Sequence, residues 1–174
     1  MRGYRKRPGT QGFSVPLVGA SLFFIISLFL FASYKNSAYQ QAKKEIYSLY
    51  TANRAFDLDE VYQDGLTAIY AKEYGKTATE AGCEALEQTG LPYVLLLSQF
   101  SAPVERVYVT NCQLSETGRE KKARTYDYTV SVRFFLEKGY EVLAPEKTMD
   151  FHGTVVMKKK GWFRWLLDGV TLGE

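Results

Sequence analysis

The chain has 174 residues and a formal net charge of +3, but the positive charge comes from its amino terminus. The first 34 residues contain four of the 22 Lys and Arg residues and none of the 19 Asp and Glu residues, so the remainder carries 18 basic and 19 acidic side chains. A near-neutral body lacks the positive field that drives nonspecific phosphate binding, which argues against direct binding of nucleic acid.

An apolar segment follows the basic cluster. Residues 8–34 contain no charged side chain, and residues 13–34 are dense in Phe, Leu, Ile and Val. Those 22 residues, at about 1.5 Å per residue, are long enough to cross a hydrocarbon core of about 30 Å. The sequence therefore predicts a single membrane-spanning helix, with lipid as its partner. The basic residues that precede it are Arg2, Arg5, Lys6 and Arg7.

The orientation follows from these flanking charges, because short basic segments stay on the cytoplasmic side. We expect residues 1–12 to be a cytoplasmic tail and residues 35–174 to be an exported domain of a plasma-membrane protein. The alternative is a cleaved signal peptide, whose apolar core is usually about 7–15 residues and ends at a small-residue site. The longer segment here, and the poor cleavage site at residues 31–33, favour an uncleaved anchor.

Three helices are predicted after the anchor. Residues 35–56 have apolar side chains at helical spacing, with Lys43, Lys44 and Glu45 on other faces, and this helix is expected to continue from the membrane. Asp57 with Glu60 has the spacing of a capping box, which opens a second helix that ends near Gly75. A second such box, Thr77 with Glu80, opens a short third helix that stops at Gly90. Residues 93–97 are apolar but too short to assign.

Four strands are predicted next. The first begins at Val104 and ends before Glu116, and the clearest is 126–136, in which apolar residues alternate with polar ones so that one face covers a core. The third is 148–157, in which Met149, Phe151, Val155 and Met157 face one way. The fourth, 162–172, follows a hairpin turn at 158–161, where Gly161 supplies a positive φ. Residues 118–122 and 139–145 are expected to join the other strands, which makes all four antiparallel neighbours.

Few residues suggest metal or nucleophile chemistry. Cys83 and Cys112 lie far apart and have no metal-ligand spacing, and their pairing is left open. His152 is the only histidine, and no nucleophile motif accompanies it. We therefore expect no metal, no cofactor and no catalytic residue.

The order of elements resembles the nuclear transport factor two-like superfamily, in which three helices precede a strongly bent antiparallel sheet. Residues 153–157, followed by Lys160-Gly161-Trp162 and a last apolar strand through Leu167 and Val170, look like the final hairpin of that fold. The resemblance implies an α+β fold in which three helices pack on a curved four-stranded antiparallel sheet.

With its single anchor, the chain is similar to the inner-membrane assembly factors of type IV secretion and conjugation complexes. That similarity implies a scaffold with membrane-complex proteins as partners rather than an enzyme. Enzymes that resemble ketosteroid isomerase use the same fold, with a carboxylate and a Tyr or His inside the cone. The residue types are present, but alternation directs the carboxylates and the histidine away from the helix-covered face, and fold alone assigns no role. These residues are Asp127, Asp150, Tyr126, Tyr128 and His152.

The aromatic residues of the last strand indicate an interface. Phe163 and Trp165 share a phase opposite Trp162, so both sides of this strand are apolar. One side is then expected to be covered by another subunit or by the membrane surface. The sequence thus predicts an anchored scaffold, with an anchored small-molecule-binding or isomerase-like domain and an organellar inner-membrane assembly factor as alternatives.

Overall fold

A computed structural model describes residues 15–51, 65–91, 104–136, 146–161 and 164–173. Within them the protein is α+β, with four helices and a four-stranded antiparallel sheet. The chain divides into two compact units, Met1–Tyr34 and Lys35–Glu174, each of which is held together mainly by contacts among its own residues. The elements are α1 (Val15–Lys35), α2 (Ala38–Thr51), α3 (Leu66–Tyr74), α4 (Glu80–Thr89), β1 (Val104–Arg119), β2 (Ala123–Leu136), β3 (Glu146–Lys159) and β4 (Trp165–Leu172).

All of α1 except its last residue, Lys35, lies in the first unit, and the helix has no charged side chain before Lys35. Its large apolar side chains from Leu22 to Phe31 are exposed on every side, with Phe23 at 74% and Ile26 at 49%. Taken singly, no helix in the described part of the chain is long and apolar enough to cross a membrane. Gly19–Lys35 and Ala38–Thr51 meet that criterion only together, as a bent pair.

The sheet has the order β1-β2-β3-β4, and each strand is antiparallel to its neighbour. The register shifts at three places between β1 and β2, and once between β3 and β4, at Val156/Met157. Bulges of this kind bend a strand and increase its local twist.

The alternation predicted for β2 is confirmed. The even-numbered side chains from Tyr126 to Leu136 are all buried, whereas Asp127, Thr129 and Arg133 are exposed. On β3, Val155 and Met157 are fully buried, and Met149 and Phe151 pack against the same core. One face of the sheet therefore forms the core of the second unit.

Helix α2 supplies the opposing layer of that core. Ala42, Ile46 and Leu49 are buried at helical spacing and belong to one apolar cluster with β2 and β3. The prediction that this helix continues from the anchor is wrong, because the helix breaks at residues 36–37. Ser37 accepts a hydrogen bond at its hydroxyl from the amide of Gln40, 3.3 Å away, and so caps a new helix.

The start of α4 also differs from the prediction. Thr79 rather than Thr77 is the N-cap, and its hydroxyl accepts a hydrogen bond from the amide of Gly82. The backbone of residues 77–79 is used by β4, since Leu167 donates to the carbonyl of Thr77 and accepts from the amide of Thr79. An extended backbone at these residues delays the helix. The predicted stops are confirmed: α3 ends before Gly75, and Gly90 is left-handed with φ 69°.

The first three strands are longer than predicted at their turn ends, whereas β4 begins at Trp165 rather than at residue 162 as predicted. β1 continues through Gly118 to Arg119, so the turn to β2 is residues 120–122. β3 includes Lys158 and Lys159, because the amide of Lys159 donates to the carbonyl of Lys122. Gly161 has φ 84°, as predicted for the β3–β4 turn. The proposed box of Asp57 and Glu60, the segment 93–97 and the joining segment 139–145 lie outside the described residues.

Candidate functional site

A pocket of about 150 Å³ lies where the start of α2, the α3–α4 connection and the start of β4 meet. All of its lining residues belong to the second unit. Three cationic side chains surround one carboxylate. The polar side chains that line the pocket include Gln41, Lys44, Glu45, Lys76, Thr77 and Arg164.

Glu45 is the buried charge of this pocket, and only 8% of it is exposed. Burial raises the pKa of its carboxyl above the ordinary value, while a hydrogen bond with Thr77 and the charge of Lys44 act in the opposite direction. The sequence placed Glu45 on an outer face of the helix, and this is wrong. A signal was present, because Glu45 lies three residues after Ala42 and four before Leu49, at the edge of the buried stripe.

Further contacts of cationic side chains lie at the start of β4. The guanidinium of Arg164 donates to the carbonyl of Lys76 and so ties the α3–α4 connection to the start of β4. Two further cations lie over the Trp165 ring. The guanidinium carbon of Arg124 is 5.6 Å from a ring centroid, and the ammonium nitrogen of Lys159 is 5.9 Å from a ring centroid. The result is a cluster of positive groups around one aromatic ring.

Of the predicted interface residues, Trp165 lies at this place. Trp165 is half-buried and packs against the apolar core. The neighbouring Leu166 and Leu167 are both buried, so the chain itself covers both sides of β4 there. Phe163 and Trp162 lie outside the described residues, and the interface at Phe163 stays a prediction.

A pair of tyrosines lies inside the core, between α2 and the sheet. The phenolic oxygens of Tyr50 and Tyr128 are 3.0 Å apart, and Tyr128 donates to the carbonyl of Thr171 at 3.0 Å. A phenol has one proton, so Tyr50 is the donor within the pair. Burial is the first cause that raises the pKa of both phenols, so both stay protonated in the neutral range. Phe151 packs on Tyr50 with ring centroids 5.3 Å apart.

The carboxylates and the histidine considered for catalysis lie elsewhere. Asp127, Asp150 and His152 are exposed, on the side of their strands away from the core, as alternation predicts. Tyr126 and Tyr128 point into the core instead. The structure therefore does not bring these five residues together. No group of three or more His, Cys, Asp or Glu side chains suited to a metal occurs among the described residues.

The two cysteines are separate, buried thiols. Cys83 donates to the carbonyl of Tyr70, 3.8 Å away, within the helical layer, whereas Cys112 lies on β1. Burial raises the pKa of both thiols, which keeps them in the less reactive protonated form.

Comparison of the sequence with protein-family models and with curated proteins finds no match.

Proposed function

We propose that the protein is a single-pass membrane protein whose second unit is an extracytoplasmic scaffold domain. The observation that carries this proposal is α1, a helix that is apolar around its circumference and whose large side chains are exposed. Such a helix is stable only when it is buried in protein or surrounded by lipid. The basic tail before it favours a cytoplasmic amino terminus.

A scaffold role is favoured over catalysis by the contents of the core. The space between α2 and the sheet is filled by Tyr50, Tyr128, Phe134 and Phe151. Enzymes that resemble ketosteroid isomerase place a carboxylate inside the corresponding cone. The exposed positions of Asp127 and His152 support the same conclusion. On resemblance, the partners are membrane-complex proteins of a secretion or conjugation machine, or further copies of the chain. An organellar assembly complex is the alternative setting.

Topology can be tested by labelling introduced cysteines with a membrane-impermeant maleimide. The native Cys83 and Cys112 are buried thiols and give a low background. We expect Lys147→Cys, at an exposed position on β3, to react in intact cells. Gly3→Cys, which keeps every basic residue of the tail, should react only after permeabilisation. Reaction of both variants in intact cells, or release of the chain by alkaline carbonate, would contradict the proposal.

The interface prediction is tested best at Phe163. Because Trp165 packs against the core, Trp165→Ser should lower stability as well as affect assembly. Phe163→Ser alone is expected to reduce the oligomer size of the detergent-solubilised chain in light scattering. An unchanged size would argue against an interface at this strand.

A further inference from the structure

A basic face lies at one end of the sheet. It is formed by residues 36–45, 76–77, 120–124, 158–161 and 164–166, which together contain ten Lys or Arg residues and two acidic ones, Glu45 and Glu120. Three contacts show that these segments lie close to one another. Lys159 bonds through its backbone to Lys122, and Arg164 bonds to Lys76. Tyr39 packs on Tyr126, two residues after the segment 120–124, with ring centroids 6.0 Å apart.

The opposite end of the sheet has a different charge pattern. There Arg106 pairs with Glu105 at 3.5 Å, and Arg133 lies 4.0 Å from Glu146. Acidic and basic groups are thus paired at that end. At the basic face Lys158 pairs with Asp168 at 3.4 Å and Arg124 lies 3.7 Å from Glu116, but basic side chains still outnumber acidic ones there. One of the two acidic groups on the basic face, Glu45, is also buried, and its exposed neighbours Lys44 and Lys76 flank the pocket.

The position of the basic face in the chain indicates its partner. Helix α2 begins at Ala38, three residues after the end of α1, which limits the separation of the two ends to about 10 Å. Gln41 and Lys44 lie within the first two turns of α2 and line the pocket. If α1 spans the bilayer, as proposed above, the covalent connection keeps this pocket close to the lipid headgroups.

We propose that the basic face binds the phosphate of an anionic phospholipid headgroup at the surface of the membrane that contains α1. Lys44, Lys76 and Arg164 supply the cationic donors around a pocket large enough for a phosphate, and Trp165 forms part of its wall. Amphipathic aromatic rings favour the level of the headgroups, and clustered lysines are attracted to anionic lipid. This inference depends on the proposed membrane anchor.

The test uses the full chain with Trp162→Phe, which leaves Trp165 as the only tryptophan. This variant is reconstituted in nanodiscs of phosphatidylcholine and phosphatidylglycerol. One sample contains a trace of nitroxide-labelled phosphatidylcholine, and a second sample contains a trace of nitroxide-labelled phosphatidylglycerol. The ratio of Trp165 quenching by the two labelled lipids measures the enrichment of the anionic lipid. We expect stronger quenching by phosphatidylglycerol.

Charge reversal then assigns the site. Lys76→Glu and, in a second variant, Lys44→Glu should each reduce the enrichment about fivefold or more, because one lysine near an anionic surface contributes about that factor. Lys76→Arg should preserve it. Lys147→Glu, at the far end of β3, is the matched control and should leave the enrichment unchanged.

Three results would overturn the proposal: equal quenching by the two lipids, an equal loss with Lys147→Glu, or saturable binding of inorganic phosphate in phosphatidylcholine discs without lipid enrichment. The last would assign the pocket to a soluble anion. A chain that does not enter the discs at all would instead contradict the membrane anchor, so the two failures can be distinguished.

Discussion

The phenolic oxygen of Tyr50 on α2 lies 3.0 Å from that of Tyr128 on β2, and Tyr128 in turn donates to the carbonyl of Thr171 on β4. This chain of hydrogen bonds joins the helical layer to two strands through the interior of the core. It also satisfies both buried hydroxyls, which would otherwise destabilise the fold.

The direction of this chain predicts unequal effects of two similar substitutions. Tyr128→Phe removes both hydrogen bonds and leaves the Tyr50 hydroxyl buried without this acceptor, and should cost about 2 kcal/mol of unfolding free energy. Tyr50→Phe leaves the bond to Thr171 intact and should cost about 1 kcal/mol. Chemical denaturation of the full chain in detergent measures both. A larger loss for Tyr50→Phe would show that the assigned donor is wrong.

Gly153 is required by the close approach of β3, β2 and β4. A Cβ at this position would overlap the carbonyl oxygen of Thr171 and lie 2.8 Å from the phenolic oxygen of Tyr128. Gly153→Ala should therefore destabilise the protein by about 2–3 kcal/mol. Gly169→Ala is the control, because its Cβ would meet only Val156, at 3.7 Å. Similar stability of the two variants in denaturation would contradict this packing.

The raised pKa of Glu45 predicts a pH-dependent effect of removing its charge. Because the folded state disfavours the ionised carboxyl, the contribution of Glu45 to stability is present below its ordinary pKa of 4.5 and is lost as the pH rises through the folded-state value. Glu45→Gln should therefore raise the melting temperature at pH 7, and the difference from the wild type should shrink toward pH 4.5. Circular dichroism melts across this range measure the effect. A destabilised variant at pH 7 would indicate that the ionised form is stabilised in the pocket.

Thr79 links the start of α4 to β4. Its hydroxyl accepts from the amide of Gly82 and donates to a carboxylate oxygen of Asp168, 2.6 Å away. Thr79→Ala should cost about 1–2 kcal/mol through loss of the cap and of this bond. Thr79→Ser keeps the hydroxyl and should retain most of the stability. Equal losses in the two variants, measured by urea denaturation, would exclude the hydroxyl as the cause.

The membrane anchor predicts a strong effect of a charge in the middle of α1. Ile25→Lys should reduce membrane integration, because a central lysine costs about 2.5–3.5 kcal/mol on an insertion scale. Ile25→Leu should integrate like the wild type. The fraction of each chain that remains in the pellet after carbonate extraction is the measurement. Full retention of Ile25→Lys would argue against a spanning α1.

Features that depend on local periodicity could be predicted from the sequence. The alternation of β2, the apolar character of α1 and the left-handed glycines Gly90 and Gly161 are each determined by residues close together in the chain, and each agrees with the structure. The α+β class follows from the order of these elements.

Contacts between side chains of different elements could not be predicted in this way, because they depend on how distant segments pack. Thr79 replaces Thr77 as the cap because the backbone of residues 77–79 pairs with β4, about 90 residues away in the chain. Glu45 is buried because the start of β4 and the α3–α4 connection close over one side of α2. The basic face forms from five segments that are separate in sequence. A local pattern specifies which face of an element is apolar, but the register between distant elements is set by packing, and packing alone places these charges together.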